Sequence, residues 1–358
     1  MPTTNAASLE ADITHDSEAA AEAAGLRFTH LGRPGITRET TKKGWRYRDR
    51  DGKIIRRTQE RDRLDALVIP PAWTDVWINP DPRGHIQVTG RDARGRKQYR
   101  YHERWRATRD AAKFARMAAF GQALPTIREQ VSHDLRRAGL PREKIEATVV
   151  RLLDETLIRI GNEEYARENA SFGLTTLQED HVDVRGARVR FNFAGKSGKE
   201  HEVDLKDQRV ATIVKRLQEL PGQQIFQYLD DDGDQRPITS DGVNDYLQEI
   251  SGEPFTAKDF RTWAGTVQAC RILRETACGD TERERNAAIV AAVDAAAARL
   301  GNTRTVCRSS YIYPAILQRY ADGPWPADEI CLPAEQNPLL DECESWLLAF
   351  LQAETSAA

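Results

Sequence analysis

Near Trp105 the spacing of the apolar residues changes, and this change limits what the chain can fold into more than any other feature. Before it, from about residue 26, short segments such as "GWRYRD", "DVWINP" and "GHIQVTG" alternate aromatic or β-branched residues with polar ones. Turns rich in Gly, Pro and Asp ("DRDGK", "NPDPRG", "RDARGR") cut them apart, which is the pattern of a small antiparallel sheet. After it, "ERWRATRDAAKFARMAAFGQALPTIREQVSHDLRRAG" and "PREKIEATVVRLLDETLIRIGNEEYAREN" space apolar residues three and four apart, as helices do. One strand group, "HVDVRGARVRFNFAGKSGKEHEVDL", interrupts the helices, alternating strictly and turning at "RGAR" and "AGKSGK". The clearest helix, "TERERNAAIVAAVDAAAARLG", ends at Gly301 in the position of a C′ glycine.

The chain therefore reads as α+β: a small antiparallel β-rich domain over 26–105, then a mainly α-helical domain over 106–323 carrying a short β-sheet or hairpin. An acidic tail flanks each side. The first, 1–25, is expected to be disordered; the second, 324–358, with seven acids and no Lys or Arg, is expected to be helical at its end and to pack on the helical domain.

A formal net charge of -3 hides a sharp division. Leu26 to Arg116 holds 24 Lys/Arg against 11 Asp/Glu, an excess of +13, so the remainder carries -16. A one-sided basic block on a folded domain is the footprint of a phosphate-backbone binder. Seven aromatic residues (Trp45, Tyr47, Trp73, Trp77, Tyr99, Tyr101, Trp105) lie inside it, some for the core and some for stacking on sugars or bases.

Other classes lose support. No run of about 18 apolar residues occurs, and the first 25 residues have five acids and no base, unlike a membrane span or a signal peptide. The expectation is a soluble, cytoplasmic protein with no membrane partner. Five cysteines without a CxxC pair argue against disulfides and zinc, and seven scattered histidines show no HxH or HExxH spacing, so no metal is expected. The absence of a "GxxxxGK[ST]" loop removes the usual nucleotide site, and no cofactor is expected.

Four stations precede a tyrosine-bearing block: Arg159 in "LIRIGN", Lys196 in "FAGKSGKEH", Arg261 in "KDFRTWAGT" and Asn302 in "LGNTRT", ahead of "VCRSSYIYPAIL" with Tyr311 and Tyr313. Each alone has a plain explanation as a surface base, a hairpin tip, a helix-start pair with Asp259 or a cap. In order, and with "ARGRKQYRYH" ahead of them, these blocks resemble the type IB DNA topoisomerases, especially the small poxvirus and bacterial branch, over about residues 65–320.

The resemblance implies that Arg159, Lys196 and Arg261 are catalytic basic residues and Tyr311 the nucleophile, since Tyr311 holds the spacing from position 302 while Tyr313 precedes Pro314 and packs. It implies DNA contacts from Arg96, Lys97, Gln98, Tyr99 and Tyr101. It also implies a monomer that clamps double-stranded DNA and relaxes positive and negative supercoils through a 3′-phosphotyrosine, strand rotation and religation, without ATP or metal. The poxvirus pattern has histidine nine residues before the tyrosine; here Asn302 stands there, and no histidine follows His201. An amide can donate to a phosphoryl oxygen but does not titrate near neutral pH. The alternatives are a tyrosine recombinase or integrase, which usually has a histidine where Asp259 stands, and a DNA-binding protein without activity.

Overall fold

The computed structural model describes residues 18–323 and 337–357, except 43, 164–165, 168–169 and 231. The chain divides into two compact units, Met1–Lys113 and Phe114–Ala358. In the first, five strands form one antiparallel sheet: β1 (Ile36–Thr41), β2 (Gly44–Arg48), β3 (Thr74–Ile78), β4 (Ile86–Arg91) and β5 (Lys97–Tyr101), in the order β2-β1-β3-β4-β5. Helix α1 (Thr58–Ala66) joins β2 to β3 and sends Leu64 into a core with Ile36, Tyr47, Val76, Ile78 and Val88. Arg38 on β1 fastens the following loop, donating to the carbonyls of Ile69, Pro70 and Trp73 at 2.9 Å each.

The aromatic residues of the basic block divide as their surroundings require. Tyr47 is buried and donates to Asp65 Oδ1 at 2.8 Å, whereas Tyr99 and Tyr101 stand out from β5 at 37% and 38% exposure. Trp105 packs on Ala21 and Leu26. That contact corrects part of the disordered N-terminal tail: residues 18–23 are helical, because "EAAAEA" is dense in the best helix former and buries Ala21. The rest of that tail, 1–17, lies outside the described residues.

The second helix, α2 (Glu103–Asp134), contains the expected boundary at 105/106. The second unit continues with α3 (Arg142–Thr156) and a three-stranded antiparallel sheet of β6 (Val182–Arg185), β7 (Arg188–Ala194) and β8 (Glu200–Lys206), with β7 central. Alternation along β7 puts Val189, Phe191 and Phe193 into the core. After α4 (Gln208–Leu217) and a two-stranded ribbon of β9 (Gln227–Leu229) and β10 (Gln235–Pro237) come α5 (Ser240–Ser251), α6 (Ala257–Glu275), α7 (Glu282–Leu300), α8 (Arg304–Ser310), α9 (Pro314–Asp322) and α10 (Glu342–Ala357). None of the described helices is long and apolar enough to cross a membrane.

Helix α10 buries Trp346, Leu347, Phe350 and Leu351 in the core of this unit, as its apolar spacing requires, while residues 324–336 lie outside the described residues. A partly buried ion cluster fixes it. Arg128 on α2 meets Asp154 and Glu344 at 2.8 Å each, and Glu344 also accepts from Trp263 Nε1 at 3.1 Å. These bonds hold the Glu344 carboxyl below its usual range despite its burial. Glu344→Ala should therefore cost about 3 kcal/mol, the scale for breaking a buried pair; a urea midpoint within error of the wild type would contradict this.

Glu146 on α3 behaves in the opposite way. Only 3% exposed, it accepts from Arg142 Nε at 2.8 Å, yet burial outweighs that attraction and pushes its carboxyl up to about 7. A folded pKa above the unfolded one means that the native state binds more protons between the two values. Stability assigned to this group is therefore present below about pH 4.5 and lost as pH rises to about 7. Glu146→Gln should remove that slope and be more stable than the wild type at pH 8 by roughly 2 kcal/mol. Paired urea titrations at pH 5 and pH 8 measure it; a variant less stable at pH 8 would overturn the assignment.

Candidate active site

Arg159 follows the end of α3. Leu157 adopts the left-handed conformation (φ 57°) that stops the helix, and the chain then runs against the segment 171–176. Leu174 N–H donates to the Arg159 carbonyl at 2.9 Å and Thr175 N–H to Ile160 at 2.7 Å. Gly173 is required for this approach, because a Cβ there would lie 2.5 Å from the Arg159 carbonyl oxygen. The backbone of Arg159 is thus held and its side chain directed elsewhere: Nη2 donates to Asn302 Oδ1.

Asn302 does two jobs. Its N–H bonds the Ala297 carbonyl at 3.0 Å and that of Gly301, at φ 64°, the Ala298 carbonyl at 3.2 Å, which closes α7 with a Schellman motif. The side chain is left for the site. Because Oδ1 accepts from Arg159, Nδ2 is the free donor, and it is buried with no partner among the described residues.

Arg261, in the first turns of α6, is 4% exposed. Its Nη1 donates to the Leu157 carbonyl and its Nη2 to the Leu300 carbonyl at 2.7 Å, so the guanidinium sits against the C-terminal ends of α3 and α7. Those ends carry partial negative charge, which offsets part of the cost of burying a cation. Among the described residues no carboxylate pairs with it; besides the two carbonyls it bonds the Tyr311 side chain, while its Nε is buried without a partner. Burial first and neighbouring Arg159 second lower its pKa, but a guanidinium stays charged at neutral pH.

The Tyr311 ring lies beside this cation, its centroid 5.3 Å from Arg261 Cζ. Tyr311 closes α8, its N–H bonding the Cys307 carbonyl at 2.9 Å. Gly265 on α6 makes room, since a Cβ there would be 2.6 Å from the Tyr311 carbonyl oxygen. The next residue, Thr266, donates from Oγ1 to that oxygen at 3.3 Å and accepts from Tyr313 N–H at 3.0 Å. Tyr313 turns away to pack on Phe114, with ring centroids 5.4 Å apart, and burial raises its pKa.

Lys196 occupies the turn between β7 and β8, exposed and flanked by Gly195 and Gly198. It lines an open cavity of ≈ 230 Å³ with Arg159, Lys199, His201, Arg261 and Gly301. Glu200 and Glu202 also line it, beside the cations Arg159, Lys196, Lys199, Arg261 and Arg299. Asn302 and Tyr311 join this cavity through Arg159 and Arg261 rather than by lining it.

The structure thus gathers the four stations and Tyr311, from segments up to 152 positions apart. It adds three groups the sequence reading passed over: Gly265, Thr266 and His201. The first two stand inside the block "KDFRTWAGT"; the sequence marks His201 only as the last histidine of the chain, and β8 brings it to the cavity.

The residues expected to touch DNA separate within the first unit. Lys97, Tyr99 and Tyr101 share the exposed face of the edge strand β5, with Lys97 Nζ 5.5 Å from the Tyr99 ring and the two tyrosine rings 6.2 Å apart. Arg96 and Gln98 instead bond Asp92, at 2.7 Å and 2.9 Å.

Residues 102–323 match the family model described as eukaryotic DNA topoisomerase I, catalytic core. Residues 44–92 match that of the bacterial DNA topoisomerase IB N-terminal domain. The chain is 31% identical over 297 residues to a DNA topoisomerase 1B of Acanthamoeba polyphaga mimivirus, covering 81% of this chain and 88% of that protein. It is 24% identical over 143 residues to the DNA topoisomerase 1B of Vaccinia virus (strain Copenhagen), 39% of this chain and 46% of the relative. To a DNA topoisomerase 1 of Schizosaccharomyces pombe it is 26% identical over 211 residues, 57% of this chain and 23% of that longer protein.

Proposed function

The chain belongs to the type IB DNA topoisomerases, and from that premise we propose that it relaxes supercoils of both signs through a 3′-phosphotyrosine at Tyr311, with no ATP and no metal. One observation carries the reading: a buried, carboxylate-free Arg261 with an unpartnered Nε lies beside the Tyr311 ring, and an unpartnered Asn302 Nδ2 is held by Arg159. Unsatisfied buried donors and a buried cation without a carboxylate are costly in the free protein. A phosphodiester satisfies them together.

The chemistry follows from these atoms. The Tyr311 phenol gives its proton to solvent as its oxygen attacks phosphorus, and the bond from phosphorus to the 5′-oxygen breaks. Charge growing on the two non-bridging oxygens is met by Arg159, Arg261 and the Asn302 amide, which act more strongly in the transition state than in the ground state. Lys196, exposed on its turn, gives a proton to the departing 5′-oxygen. The phosphotyrosine ester keeps the bond energy, so the freed 5′-hydroxyl reverses the step once the strand has rotated. The exposed stripe of Lys97, Tyr99 and Tyr101 fits duplex DNA, and the enzyme acts as a monomer beside the nucleoid.

The recombinase alternative is weakened by Asp259. Its carboxylate accepts from Thr256 N–H at 2.7 Å and Thr256 Oγ1 at 3.0 Å, so that position caps α6 and does not serve the site.

The test is relaxation of negatively and positively supercoiled plasmid in EDTA without nucleotide. Both should relax, and binding should weaken steeply between about 50 and 200 mM salt as displaced counterions dominate. A strict Mg²⁺ requirement, or plasmids joined to one another, would assign another reaction.

A further inference from the structure

We propose that His201 is a positioning residue: its ring is a wedge that sets the Lys196 turn against the end of α7, so that the proton donor and the Arg159–Asn302 pair address one phosphate. The proposal rests on the reading of Lys196 as that donor.

Two glycines define the wedge. A Cβ on Gly195 would lie 2.5 Å from His201 Cδ2 and 2.7 Å from Nε2, and a Cβ on Gly301 would lie 2.7 Å from Cε1. One edge of the imidazole is therefore in contact with the backbone just before Lys196, and the other with the backbone just before Asn302.

The ring is fixed in its plane from below. Phe193 is its cross-strand partner on β7 and stacks on it, with centroids 5.3 Å apart and planes 14° apart. The turn above is closed by Gly195 N–H to the Lys199 carbonyl at 2.8 Å and by Gly198 N–H to the Gly195 carbonyl at 2.9 Å. Movement of the ring would thus be passed directly to the turn that carries Lys196.

The wedge has to be uncharged. Arg159 after α3, Lys199 and Glu200 at the turn and Arg261 on α6 face the ring, with Lys196 and Arg299 lining the same cavity. Burial first, then the cations, hold its pKa below the usual histidine value, so the ring is neutral at pH 7 and packs by its faces and edges. Among the described residues no protein group hydrogen-bonds either ring nitrogen, as packing by shape requires.

The experiment is single-turnover cleavage of two DNA substrates, one ordinary and one with sulfur replacing the bridging 5′-oxygen, a leaving group that departs without a proton. Lys196→Ala is the control. His201→Ala should lose about 10² in rate on ordinary DNA, as a misplaced general acid does, and recover most of it on the sulfur substrate. Added to Lys196→Ala, it should cost little more. Gly195→Ala, which drives a Cβ into the ring, should show the same rescue even if His201→Ala fails to fold. Rescue of Lys196→Ala but not of His201→Ala or Gly195→Ala would overturn the wedge and leave the donor reading intact. No rescue of Lys196→Ala would overturn the donor reading, and the wedge with it. An unchanged rate in His201→Ala would overturn the wedge alone.

Discussion

Tyr311→Phe is expected to bind duplex DNA as the wild type does and to form no covalent protein–DNA adduct, with relaxation reduced by at least about 10⁴, the scale on which removing a nucleophile acts. The substitution leaves the packing alone. Phenylalanine keeps the ring 5.3 Å from Arg261 Cζ, and the backbone still bonds Cys307 and Thr266. The phenolic oxygen goes, and with it the hydrogen bond to the Arg261 side chain, so stability should change only slightly while the loss of the adduct lies in the chemistry. Tyr313→Phe should keep the adduct, because that ring packs on Phe114 and its phenol is harder to ionise than usual. Denaturing gels of the trapped complex measure both variants; an adduct in Tyr311→Phe that disappears in Tyr313→Phe would reverse the assignment.

The parts of this molecule that were legible in the sequence are those governed by local rules. A period of two before Trp105 and of about 3.6 after it placed the sheet and the helices, and Gly301 marked the end of α7 because a left-handed C′ position is visible in a single residue. The order of the blocks singled out Arg159, Lys196, Arg261, Asn302 and Tyr311. What they touch was not visible. Arg261 is held by carbonyls at positions 157 and 300, and His201 lies between glycines at 195 and 301, contacts that no spacing along the chain encodes. The same holds for α10: its helical pattern could be read, but not the partnership of Glu344 with Arg128, 216 positions away. Gln98 and Arg96 turned to Asp92 for a nearer reason, since the turn "RDARGR" puts a carboxylate within reach of both.

The largest separation of stability from activity is expected at Arg261. Its guanidinium is 4% exposed and tied to two helix ends, yet it has no carboxylate partner among the described residues. Burying a cation on those terms costs several kcal/mol, of which helix dipoles return only part. Arg261→Met removes that cost and fills similar volume, while the carbonyls of Leu157 and Leu300 lose a partner at about 1–3 kcal/mol each. The two effects oppose each other, so the urea midpoint should stay near that of the wild type or rise. Cleavage should nevertheless fall by about 10³ to 10⁵, the range for an arginine that stabilises phosphoryl-transfer charge. Arg261→Lys keeps the charge but not the fork that spans two carbonyls and an oxyanion, so it should be nearly as slow. Single-turnover cleavage and urea unfolding on the same preparations decide the matter. A methionine variant that lost both stability and rate would mean that Arg261 serves the packing of α3, α6 and α7; one that lost rate alone would mean that the fold tolerates a poorly paired cation there because the phosphate completes it.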